Sequence, residues 1–268
     1  MIHNEPDNYF GTSFIKALEM HSPESLPFKE VNSSSSISQL PHATTIVALR
    51  YKDGVVMAGD RRATMGHAIS QRDIKKVLKA DDYSGIAFAG TAALAVEMAS
   101  LFQVELEHYE KMSYKRLTFD GKVNLLSRMV KGNFGAAMQG LAVVPLFGGY
   151  DLDQKTGRVF SYDILGGKSE ELNFETTGSG GTHAKNWIKS LWNEKLTELE
   201  AVKIAIRSLI AAADEDAATG GVDLIRKIYP TVSVISKKGF DEYSHEKVSE
   251  IAFALLGSIE QGNYGTKK

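Results

Sequence analysis

The most constraining feature of this chain is an abrupt onset of strand-forming sequence. Thr44-Thr45-Ile46-Val47-Ala48-Leu49 is β-branched and apolar, the make-up of a buried strand. Val55-Val56-Met57-Ala58-Gly59-Asp60 is a second such run, and Lys52-Asp53-Gly54 between them is a hairpin turn signal. Nothing before Thr44 has this pattern. Residues 1–43 hold Pro6, Pro23, Pro27 and Pro41 out of six prolines, and the run Asn32-Ser33-Ser34-Ser35-Ser36-Ile37-Ser38. They carry Glu5, Asp7, Glu19, Glu24 and Glu30 against only Lys16 and Lys29. That is the composition of a flexible segment. Phe14, Ile15 and Leu18 could line one face of a short helix, but one or two isolated turns are marginal in water. The chain therefore divides near residue 43 into a leader and a folded body.

The hairpin brings residues 60–64 back beside Thr44. A three-residue loop at Lys52-Asp53-Gly54 would set Thr44 opposite Arg62, with Asp60 on Thr44's face of the sheet. A two-residue loop would put Thr44 and Asp60 on opposite faces. The sequence allows both.

Ser84-Gly85-Ile86-Ala87-Phe88-Ala89-Gly90 reads as a third strand. A helical pattern (Leu94, Met98, Leu101, Phe102, Leu106) begins directly after Gly90-Thr91. Such a turn exposes backbone N–H groups where a developing negative charge can be stabilised. Residues 91–112 and about 119–139 are predicted helices. Residues 141–147 and 158–163 are predicted strands flanking a turn at 151–157. Further helices are expected at 182–192, 197–213 and 245–260, with a strand at 231–235. Strands, paired helices, strands and paired helices suit two stacked sheets between helical layers.

Composition removes several classes of function. At 268 residues and 43% hydrophobic, the chain can bury one large core. A net charge of −2 argues neither for a nucleic-acid surface nor for an acidic tail. Without Cys there is no disulfide framework, thiolate nucleophile or Cys-based zinc site. The His residues are scattered, with no His-x-x-x-His pair, so no metal is expected. No stretch reaches the roughly 18 apolar residues of a membrane span, and the N-terminus lacks a secretory signal's basic start and apolar run. Gly178-Ser179-Gly180-Gly181-Thr182-His183 lacks the last glycine and the βαβ setting of a dinucleotide loop. Gly167-Lys168-Ser169 has Tyr162 where a phosphate loop needs glycine. No cofactor is expected.

Several ordered motifs carry a specific resemblance. They are Thr44-Thr45-Ile46-Val47-Ala48-Leu49, Gly59-Asp60-Arg61-Arg62-Ala63-Thr64, Arg72-Asp73-Ile74-Lys75-Lys76-Val77 and Ala89-Gly90-Thr91-Ala92. They continue through Phe119-Asp120-Gly121-Lys122, Gly135-Ala136-Ala137-Met138-Gln139-Gly140 and Gly178-Ser179-Gly180 to Asp214-Glu215-Asp216-Ala217-Ala218-Thr219-Gly220-Gly221. Together they resemble the β subunit of the 20S proteasome, in its bacterial, actinobacterial-like form, over nearly all of residues 44–260. The resemblance implies an α+β fold, the four-layer αββα sandwich of the N-terminal-nucleophile hydrolases. It implies a propeptide at 1–43, removed by cleavage between Ala43 and Thr44, and a catalytic domain at 44–268.

The implied chemistry is that of a threonine peptidase. A threonine hydroxyl is a poor nucleophile until a base takes its proton. The α-amine of the same residue can be that base, since it titrates at about 7.7–8.0. That amine exists only after the Ala43–Thr44 bond is cut. By resemblance, Asp60 and Lys76 complete the core, family spacing selecting Lys76 over Lys75. A buried Lys needs a paired charge, and Asp60 is the natural one. The resemblance assigns the oxyanion to the Gly90 N–H. It gives the amine and the catalytic water to Ser179, Asp216 and Thr219. Thr219 stands where the family commonly has Ser, and Ala43 where it usually has Gly, the residue that most freely adopts the geometry autolysis needs. The positions matching the S1 pocket are Ala63, Ile74, Leu78, Phe88 and Ala92, with Thr64 contacting an extended peptide. None is charged, so an apolar P1 residue is expected, and Phe88 would narrow the pocket. Ile74 and Leu78 would equally suit one apolar face of a helix.

The implied partners are proteasome α subunits, other β subunits in stacked seven-membered rings, a ring-shaped ATPase and unfolded polypeptide substrates. Neither nucleic acid nor membrane is expected, and the implied location is cytoplasmic. Three other readings are a non-catalytic structural β subunit, another N-terminal-nucleophile amidohydrolase, and the simpler two-ring bacterial protease of the same superfamily. The last lacks so long a leader and matches Gly-Asp-Arg-Arg-Ala-Thr less well.

Overall fold

A computed structural model describes residues 44–65 and 68–260. The leader, Ala43 and the last eight residues lie outside the described residues. The first strand, β1 (Thr45–Tyr51), begins one residue after Thr44 and turns through Lys52-Asp53 into β2 (Gly54–Gly59). A small hairpin follows, β3 (Ala63–Met65) with β4 (Ala68–Gln71). Next come β5 (Val77–Asp81), β6 (Ser84–Gly90), the long helix α1 (Ala92–Ser113), α2 (Phe119–Gly132) and the single turn α3 (Phe134–Ala137). The chain continues through β7 (Val143–Asp151), β8 (Thr156–Tyr162), β9 (Lys168–Glu171) and β10 (Phe174–Gly178). It ends with α4 (Gly181–Leu191), α5 (Glu198–Glu215), β11 (Thr231–Ser236), β12 (Gly239–Glu242) and α6 (His245–Glu260).

Two antiparallel five-stranded sheets result, in the orders β10-β1-β2-β11-β12 and β5-β6-β7-β8-β9. Alternation along each strand builds the layers. On β1, Val47, Leu49 and Tyr51 pack with Ala184 and Ile188 of α4 and Val202, Ala205 and Leu209 of α5. Ile46 and Ala48 turn the other way and meet Val77, Ala87, Ala89 and Leu146 of the second sheet. On β6, Ala87 and Ala89 face that interface, while Ile86 and Phe88 pack under Phe102 of α1 and Leu126 of α2. Three apolar cores between four layers give helices, sheet, sheet, helices, the αββα sandwich. The fully buried strand β2 accordingly reads as an unbroken apolar run, whereas the equally buried β11 interleaves Val232, Val234 and Ile235 with Thr231, Ser233 and Ser236.

Local chemistry sets the helix ends. The Thr197 hydroxyl accepts from the Glu200 N–H while the Glu200 carboxylate accepts from the Thr197 N–H, a capping box that starts α5. Thr118 caps α2 through the Gly121 N–H. An ion cluster centred on the buried Arg158–Asp151 pair ties α2 to the second sheet: the Arg158 guanidinium lies 2.9 Å from Asp151, 2.7 Å from the exposed Glu170 and 3.1 Å from the exposed Asp120.

The structure corrects several expectations. The second helix stops at Gly132, with only the short turn α3 beyond it. The strand predicted at 141–147 runs instead over Val143–Asp151, absorbing the start of the predicted turn. Ile74 and Leu78 do not share a helical face: Ile74 precedes β5 and Leu78 lies on it. The hairpin after β1 has the two-residue loop, Tyr51 pairing with Gly54.

Candidate active site

The site gathers at one end of the first sheet. Thr44 continues β1 and is buried. Its carbonyl accepts the Ser179 N–H at 3.0 Å, because β10 runs antiparallel to β1 and pairs Gly178 with Thr45. Gly178 has φ +105°, and a side chain there would strike the Thr44 carbonyl. Only glycine lets β10 end this close to Thr44.

Asp60 arrives from β2. With the two-residue loop it stands opposite Thr45 rather than on Thr44's face, its backbone N–H donating to the Thr45 carbonyl at 3.1 Å. The strand ends at Gly59, however, so face alternation no longer directs the Asp60 side chain. Its carboxylate turns into a nest of donors. Oδ1 accepts from the Thr45 N–H at 2.8 Å and Lys76 Nζ at 2.6 Å. Oδ2 accepts from the Arg62 N–H at 2.9 Å and the Gly220 N–H at 2.8 Å. Four donors explain how a carboxylate with 0% exposure stays satisfied.

Lys76 sits just before β5, and its carbonyl accepts the Phe88 N–H from β6 at 3.3 Å. The residue is 7% exposed, and its ammonium also donates to the Arg62 carbonyl at 2.5 Å. Burial pushes the ammonium below the ordinary lysine range, and the Asp60 carboxylate recovers only part of that shift.

A second polar group lies across Thr44. Asp216 caps the C-terminus of α5, and its Oδ2 accepts from Ser179 Oγ at 2.5 Å and Thr219 Oγ1 at 2.6 Å. Burial raises the Asp216 carboxyl, but those hydroxyls and the Ala218 N–H outweigh it and hold it below the usual carboxylate range. All three residues assigned to this group by resemblance therefore meet in space.

Gly90 ends β6, and α1 starts two residues later. Its φ is +119°, and a side chain would meet the Ala142 carbonyl. Gly90 and Thr44 line one small cleft, about 30 Å³ in volume, with Ile74, Leu78, Phe88 and Ala92. Ala63 and Thr64 are half-buried on β3 and are not among its lining residues. The sequence reading missed Lys75, Ala95 and Val96, which also line it. Val96 is one helical turn beyond Ala92, a spacing that gives it away. Lys75 carries the cleft's second lysine, paired with Glu242 of β12 at 2.5 Å. The contributions of Arg62 and Gly220 are backbone groups and leave no mark in a sequence.

Among the described residues, no group of three or more His, Asp or Glu is placed to hold a metal ion. None of the described helices is long and apolar enough to cross a membrane.

Known proteins resemble this chain over most of its length. The family described as "Proteasome subunit" matches residues 40–226. The chain is 50% identical over 247 residues to "Proteasome subunit beta" of Streptomyces griseus subsp. griseus, covering 92% of this chain and 88% of that protein. It is 48% identical over 254 residues to the protein of the same name from Frankia casuarinae, covering 95% and 93%. Frankia alni supplies a third, 48% identical over 245 residues, covering 91% and 89%. The chain belongs to the proteasome subunit family, among its β subunits.

Proposed function

We propose that this β subunit is a threonine endopeptidase whose nucleophile is the Thr44 hydroxyl, exposed by removal of residues 1–43. The observation that carries the reading is the placement of buried Thr44. It borders a cleft with Gly90 and Lys76 on one side and lies beside the Ser179–Asp216–Thr219 group on the other.

In this reading the freed Thr44 amine takes the hydroxyl proton as Oγ1 attacks the scissile carbonyl carbon. Lys76, held by Asp60, favours the alkoxide by its charge, and its depressed proton affinity reflects the dry setting that makes this charge effective. The carbonyl oxygen becomes an oxyanion facing the Gly90 N–H. Collapse breaks the peptide bond, and the proton passes from the Thr44 amine to the leaving amine. An ester on Thr44 remains. Water, activated by the same amine, hydrolyses it and restores the hydroxyl. Ser179 and Asp216 orient the amine and the water. The apolar cleft wall selects an apolar P1 side chain.

The subunit acts within stacked rings of β subunits capped by rings of α subunits. A ring-shaped ATPase supplies unfolded polypeptides in the cytoplasm. The test is a Thr44→Ala variant co-expressed with its α partner. Assembled particles without peptidase activity on an apolar-P1 fluorogenic peptide support the reading; wild-type activity refutes it.

A further inference from the structure

Thr45 has no role in the chemistry above, yet it touches both halves of the site. It is 0% exposed. Its backbone N–H donates to Asp60 Oδ1, on the lysine side. Its hydroxyl points the other way. Oγ1 lies 2.5 Å from Thr219 Oγ1 and accepts the Gly180 N–H at 3.0 Å.

A count of protons sets the direction of these bonds. An ionised carboxylate only accepts, so the single hydroxyl proton of Thr219 points at Asp216 Oδ2. Thr219 must then accept at its contact with Thr45, and Thr45 must donate. The result is a one-way line: Gly180 N–H to Thr45, Thr45 to Thr219, Thr219 to Asp216. Its surroundings are close. A Cβ built on Gly180 would lie 2.6 Å from both hydroxyl oxygens, so the backbone itself walls the link. Aligned hydrogen bonds in a buried line strengthen one another.

We propose that Thr45 is a positioning residue of this active site: its hydroxyl fixes Thr219 as a donor to Asp216, and its main chain fixes Asp60, so that both halves keep register with Thr44. This rests on the reading of Thr44 as nucleophile. The effect is on the reacting groups and not on the apolar cleft, in which Thr45 takes no part.

The test is steady-state kinetics of assembled particles on an apolar-P1 fluorogenic peptide. The variants are Thr45→Val, which keeps the shape and loses the hydroxyl, Thr45→Ser, which keeps the hydroxyl, Thr219→Val, and the double Thr45→Val/Thr219→Val. Thr45→Val is expected to lower kcat about tenfold, the scale of one buried hydrogen bond, with KM changed by less than about twofold. Thr45→Ser restores kcat. The double variant is no slower than Thr219→Val alone, because both act through one line. Wild-type kcat in Thr45→Val, no rescue by Ser, or independent losses in the double variant would overturn the inference. If Thr45→Val does not assemble, Thr45→Cys takes its place, since a thiol is a weaker donor of similar size. A lowered kcat at constant KM supports the inference, and a wild-type kcat overturns it. Activity surviving in a parallel Thr44→Ala particle would refute the proposed function itself, a result distinct from any Thr45 outcome.

Discussion

The Lys76 ammonium lies 2.6 Å from the Asp60 carboxylate, and both groups are buried. Removing one partner of such a pair leaves an unpaired charge in a dry site, which costs about 3–5 kcal/mol. Asp60 also holds three backbone N–H groups, from Thr45, Arg62 and Gly220. Lys76→Ala leaves those three in place, whereas Asp60→Ala strands all of them. Asp60→Ala is therefore the more destabilising change, by about 1 kcal/mol or more. Urea unfolding of the two variants checks the order.

Asp216 gives a pH signature. Its carboxyl is held below the usual range in the folded chain. Such a group contributes stability above its unfolded value, near 3.8, and loses it as pH falls through the lower folded value. Ser179→Ala together with Thr219→Val removes two donors and raises the folded value. The variant should be less stable than wild type at neutral pH, and the gap should close in acid below the folded value. Unfolding midpoints across that range check the sign.

Phe88 forms part of the cleft and of the core beneath α1. Phe88→Leu should open the cleft and shift preference toward bulkier P1 side chains, at a stability cost of about 1 kcal/mol. Phe88→Ala should cost about 3–5 kcal/mol and so confuse specificity with stability. Ratios of kcat/KM for P1 Leu and P1 Trp peptides measure the shift.

Gly90 combines φ +119° with contact to the Ala142 carbonyl. Gly90→Ala forces the turn to move, and with it the N–H assigned to the oxyanion. Loss of one such donor typically costs about 10²–10³-fold in kcat. The expected result is a large fall in kcat in particles that still assemble.

Some of this was legible in the sequence because burial dictates it. β1, β2 and β6 are mainly apolar, and β8 and β11 carry enough Val, Phe and Ile among their polar residues to read as strands. Strand β10 was not legible. Phe174-Glu175-Thr176-Thr177-Gly178 is short and only half-buried, so it lacks a strong pattern. Its place in the sheet comes from pairing with β1, a long-range contact. That pairing puts Ser179 against Thr44, a neighbourhood only the family motifs announced. Similarly, Arg72 to Leu78 carries a four-residue apolar spacing that suits a helix, but β6 recruits Val77 and Leu78 into a strand. The hairpin loop length was open in principle, because Lys52-Asp53-Gly54 suits either register. The site tolerates the register found, since Asp60 lies past the last strand residue and its side chain turns freely to Lys76.

The central claim is that Thr44 becomes an N-terminus and does the chemistry with its own amine. Intact mass and N-terminal sequencing of this chain, purified in particles assembled with its α partner, test it most directly. The account predicts a chain beginning at Thr44 in the wild type, and an uncut chain in Lys76→Ala. Active wild-type particles that retain Met1 and residues 1–43 would contradict it.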